Sequence, residues 1–96
     1  MEELANIKRK LGLLKPELLR KYHVSSIGLF GSVVRNDFKT ESDIDIIVDF
    51  NGKIGIEFID LAEYIEKTLK QRVDLVSRKG IKDKYFKAIE SEIVYV

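Results

Sequence analysis

Apolar residues recur at helical spacing from the start of the chain. Leu4, Ile7, Leu11, Leu14 and Leu18 are three or four positions apart, which predicts a helix over residues 2–22 with one apolar face. Pro16 lacks an N–H and crowds the preceding turn, so a break or kink is expected near residues 14–15, with a second helix starting there. The pattern then changes. Residues 26–30 (SIGLF) form a short apolar run suited to a buried strand, and Ser32 can open a helical turn through Val33, Val34 and Arg35. Residues 36–42 (NDFKTES) are polar and turn-like. Residues 43–50 (DIDIIVDF) are β-branched and read as a central strand. Helical spacing returns over 56–70, with Phe58, Leu61, Ala62, Ile65 and Leu69 on one face. Residues 72–76 (RVDLV) predict a third strand, 82–90 a last helix, and 93–96 (IVYV) a terminal edge strand.

Alternating strands and helices predict an α+β (mixed α/β) fold, a small mixed sheet of three to four strands flanked by helices. The connection between the first two strands is too short for a helical crossover, so they should be antiparallel. The helix over 56–70 allows a parallel crossover between the second and third. The 96 residues suit one domain spanning 1–96.

Composition narrows the chemistry. Lys and Arg number 17 against 16 Asp and Glu, so the net charge of +1 gives no overall attraction to nucleic acid or an anionic membrane. The basic residues of the first helix, Lys8, Arg9, Lys10, Lys15, Arg20 and Lys21, read as a solvated face. Without Cys, disulfides and thiolate metal sites are excluded, and one His excludes a multi-His metal site. No apolar run approaches the ~20 residues needed to span a bilayer, and the charged N-terminus does not resemble a signal peptide. A soluble cytoplasmic protein is expected.

The informative stretch is Gly31 and Ser32, followed after ten residues by Asp43 and Asp45. Strand alternation puts Asp43 and Asp45 on one sheet face, with Cα atoms about 6–7 Å apart. Their mutual repulsion calls for a cation, and an oxygen-only donor set favours Mg²⁺ or Mn²⁺. Asp74 stands mid-strand between Val73 and Leu75, where it either finds an ion-pair partner such as Arg72 or Arg78 or shares the face of Asp45. Three carboxylates can hold a two-metal site of the kind used for phosphoryl or nucleotidyl displacement. Gly31 and Ser32 lie where a strand ends and a helical turn begins, where exposed N–H groups and the Ser32 hydroxyl can bind phosphate; Arg35, one turn on, can reach the same anion. Each element alone is common: Gly-Ser marks turns, and Asp-x-Asp is found at strand edges. All four in this spacing should occur by chance in roughly one in a thousand chains of this length, at about 6% usage per residue type. Asp49, on the same face, reads as a solvated strand-end residue.

The segment GSVVRNDFKTESDIDIIVDF resembles the signature of the nucleotidyltransferase superfamily with a DNA polymerase β-like core. More narrowly, the leading helix, LFGS, SDIDIIVDF, VDLVSR and the VYV ending together resemble the minimal nucleotidyltransferases (MNT), including antitoxins paired with HEPN-domain toxins. One departure is Asn36, where many relatives place Gly after the motif arginine. The resemblance implies a nucleotidyltransferase fold. It assigns nucleotide phosphates to Gly31 and Ser32, and two Mg²⁺ ions and catalysis to Asp43, Asp45 and Asp74, with Asp74 helping to activate the attacking hydroxyl. The implied reaction is transfer of AMP from ATP to a hydroxyl on a HEPN partner. The alternatives are occlusion of a toxin without catalysis, transfer to RNA or a small molecule, and a structural domain with surface acids. Direct nucleic-acid binding is disfavoured by the charge balance, and the exposed edges of a short chain allow a homodimer.

Overall fold

The computed structural model describes residues 2–35 and 42–96. The elements run α1 (Glu2–Tyr22), β1 (Val24–Phe30), α2 (Ser32–Arg35), β2 (Ile44–Phe50), α3 (Glu57–Leu69), β3 (Val73–Ser77) and α4 (Asp83–Ile89). A 3-10 turn (Glu90–Glu92) and β4 (Val94–Tyr95) follow. The turn expected at 36–42 lies, Ser42 apart, outside the described residues, and so does Asn36.

No second helix starts at Pro16; α1 runs as one helix from Glu2 to Tyr22 with the proline inside it. Proline removes one hydrogen bond and crowds the carbonyl four residues back, here that of Gly12. Both residues are exposed, so water can satisfy the freed carbonyl. Burial of Ile7 and Leu11 before the proline and Leu18 after it holds both halves to the same sheet.

The sheet order is β3-β2-β1-β4. β1 pairs antiparallel with β2 and with β4, and β2 pairs parallel with β3. This is the mixed sheet expected from the connection lengths. Strand alternation divides the core in two. On one face Ile27 and Leu29 of β1 and Ile44, Ile46 and Val48 of β2 pack with Ile7, Leu11 and Leu18 of α1 and Leu61, Ile65 and Leu69 of α3. On the other, Phe30 and Ile47 pack with Ile89 of α4. α4 is much shorter than α1 and covers only part of its face, and β2 carries its two half-exposed aspartates, Asp45 and Asp49, on that side. Among the described residues no helix is long and apolar enough to cross a membrane.

Two glycines set the backbone near the bend. Gly31 has φ +78°, a left-handed conformation. At Gly28 a Cβ would come within 2.7 Å of Ile93 Cγ2, so the missing side chain lets the C-terminal segment close on β1.

Candidate active site

Strand register assembles the acidic cluster. Asp45 is the register partner of Phe30 in β1 and of Asp74 in β3. Register partners in adjacent strands point to the same face, and so do residues two apart in one strand. Asp43, Asp45 and Asp74 therefore share the α4 face, at the end of the sheet where β1 finishes. Asp74 is exposed and forms no ion pair among the described residues. The two arginines considered as its partners are engaged elsewhere. Arg72 Nε lies 3.3 Å from Asp43 Oδ1, and Arg78 pairs with Asp83 at 3.6 Å and stacks over the Phe86 ring. Asp49 Oδ1 accepts the N–H of Phe50 at 2.9 Å and stays outside the cluster.

Gly31 brings the bend against these acids. A Cβ built there would lie 2.1 Å from Asp45 Oδ2, closer than any side chain allows. The backbone thus touches a carboxylate directly. The Gly31 carbonyl accepts the N–H groups of Val34 and Arg35 at 3.0 and 3.1 Å, closing α2. The N–H groups of Ser32 and Val33, at the start of that turn, are among those a helix leaves without an intrahelical acceptor.

The electrostatics are strained. The carboxyl of Asp45 is pushed up to about 6 from an ordinary 3.8, first by burial and then by the charges of Asp74 and Asp43. Glu92 adds to the rise, and Arg35 opposes it. Among the described residues no three His, Cys, Asp or Glu side chains are drawn together tightly enough to enclose an ion. The donor chemistry nevertheless fits a hard divalent cation: every candidate ligand is a carboxylate oxygen, and the repulsion that raises Asp45 is what a bound cation would remove. A cavity of about 600 Å³ at the far end of β2, lined by Phe50, Phe58, Lys53 and Lys79 among others, contains none of these acids.

Sequence reasoning missed Glu92. Its Oε1 accepts the Gly31 N–H at 3.0 Å, and both its oxygens accept from Arg35 Nη1, at 3.3 and 3.4 Å. Arg35, expected to reach phosphate, pairs with Glu92 among the described residues; Asp37 and Glu41, its other candidate partners by sequence, lie outside them. Its signal in the sequence is not local. Set antiparallel beside SIGLF, the terminal strand brings the residues just before it to the end of β1.

The comparisons with known proteins agree on the family. A family model described as nucleotidyltransferase domain matches residues 11–96. Protein adenylyltransferase MntA of Thermococcus cleftensis is 42% identical over 97 residues, covering all of this chain and 95% of that protein. A crystal structure described as a toxin-antitoxin with AMP-PNP superposes with a TM-score of 0.73 at 26% identity, over 90% of this chain and 70% of that one. A Shewanella oneidensis complex of a tri-AMPylated HEPN toxin with its MNT antitoxin shares the fold, with a TM-score of 0.67 at 22% identity, over 97% of this chain and 70% of that one.

Proposed function

This chain belongs to the nucleotidyltransferase domain family, and we propose that it transfers AMP from ATP to a hydroxyl on a HEPN-type toxin, acting as the antitoxin. The observation that carries the reading is the contact of Gly31 with Asp45, which brings the Gly31–Ser32 bend against the sheet face that carries Asp45 and Asp74. The relative named protein adenylyltransferase supports the reaction type, and the toxin-antitoxin neighbour with AMP-PNP supports an adenine nucleotide and a toxin partner.

In the proposed reaction the acceptor oxygen attacks the α-phosphorus of ATP. A new P–O bond forms, the bond from the α-phosphorus to the bridging oxygen breaks, and pyrophosphate leaves. The triphosphate is held by the backbone N–H groups of the bend, the Ser32 hydroxyl and the charge of Arg35. Asp74, exposed beside Asp45, takes the acceptor proton. Asp43, Asp45 and Asp74 would hold Mg²⁺, which when bound neutralises charge and polarises the phosphate. Burial and neighbouring charge push the Asp45 carboxyl up to about 6, and a bound cation would favour its ionised form.

The test is a labelled-ATP assay with the cognate partner. Label should enter the partner with the wild-type chain and disappear with Asp43→Ala and Asp45→Ala, together with neutralisation. Neutralisation that persists unchanged in both variants would replace transfer with occlusion.

A further inference from the structure

Glu92 plays no part in the reaction as proposed, yet it holds two of the groups assigned to the nucleotide. Its place follows from the sheet. β4 pairs with β1 through Gly28 with Tyr95 and Leu29 with Val94. Extending that register by two residues sets Glu92 opposite Gly31. The missing side chain at Gly28 permits this approach, because a Cβ there would collide with Ile93, the residue next to Glu92. The Glu92 side chain is only 25% exposed and its carboxylate accepts three contacts, one from the Gly31 N–H and two from Arg35. A carboxylate seated by strand pairing and bonded to an amide and a guanidinium is a fixture of the bend.

We propose that Glu92 is a positioning residue of the nucleotide site, fixing the bend through Gly31 and the charge of Arg35 from the C-terminal segment. This rests on the nucleotidyl-transfer reading. Glu92 does not touch the reacting atoms; it acts through the two groups that meet the triphosphate. Loss of its carboxylate should therefore weaken ATP binding more than it slows the saturated reaction.

The experiment compares the wild-type chain with Glu92→Gln and Glu92→Ala. Calorimetry gives the Kd for Mg-ATP, steady-state transfer to the partner gives KM and kcat, and thermal unfolding reports stability. Glu92→Ala removes both interactions and should raise Kd and KM by about tenfold or more, with a smaller fall in kcat. Glu92→Gln keeps an acceptor for the Gly31 N–H while losing the charge on Arg35, and should lie between the two. It decides the matter if the alanine variant does not fold. Unchanged Kd and KM in folded variants would overturn the proposal, even with a lower Tm, because the role would then be purely structural. Tighter ATP binding by the variants would also overturn it, since Glu92 would then compete with phosphate. Failure of the wild type itself to bind Mg-ATP would instead overturn the transfer reading, and this proposal with it.

Discussion

Asp45→Asn should stabilise the metal-free protein while abolishing its reaction. Burial and the charges of Asp74 and Asp43 push the Asp45 carboxyl from 3.8 to about 6. The folded state therefore binds this proton more tightly than the unfolded state. Its contribution to stability is present below pH ~4, is lost as pH rises to ~6, and stays lost above. A shift of that size would be worth about 3 kcal/mol for a fully buried group. Asp45 is only half-buried, and solvent screening reduces the figure to about 1 kcal/mol. Asparagine has nearly the same shape and does not titrate. In chelator-treated samples the variant should match the wild type near pH 4 and exceed it by about 1 kcal/mol at pH 8, or about 4–8 °C in Tm. Subtracting the two urea-unfolding curves across pH isolates this site from the other titrating groups. Added Mg²⁺ should stabilise the wild type more than the variant, and transfer by the variant should fall about a hundredfold or more. A variant less stable than the wild type at pH 8, or a difference between them that does not change from pH 4 to 8, would show that the charge on Asp45 does not destabilise the fold.

Three further substitutions probe the frame of the site. Gly31→Ala places a methyl group on Asp45 Oδ2 in a left-handed backbone; it should cost about 2 kcal/mol or more in urea unfolding and eliminate ATP binding by calorimetry. Leu11→Ala empties a fully buried position between α1 and the sheet and should cost about 2–5 kcal/mol, measured by the same unfolding. Lys70→Gly relieves the left-handed C-terminal cap of α3, where φ is 57°, and should raise stability by about 0.5–1 kcal/mol with transfer kinetics unchanged.

The sheet was legible because its strands differ in how they are buried. Ile44, Ile46 and Val48 face one way and Asp45 and Asp49 the other, so β2 announces both its core face and its chemical face. Connection length then decides direction: a short link for β1 and β2, a whole helix for β2 and β3. Pro16 misled because local propensity predicts a break, while buried anchors on both sides and the exposure of Gly12 make the lost hydrogen bond tolerable. Glu92 was hidden because its role depends on pairing across 61 residues, and nothing local distinguishes it from Glu90. Arg35 has the same cause: its pairing with Glu92 is set by β4 docking onto β1.

On the proposed reading this sheet face moves the α-phosphoryl group of ATP with its nucleoside attached. Parallel reactions with ATP labelled at the α- or the γ-phosphorus, each with Mg²⁺ and the cognate toxin, distinguish this from transfer of the terminal phosphate. The α-label should appear on the toxin, the γ-label should be released only as pyrophosphate, and both signals should be lost in Asp74→Ala. Transfer of γ-label to the toxin, or equal α-labelling by the Asp74 variant, would contradict it.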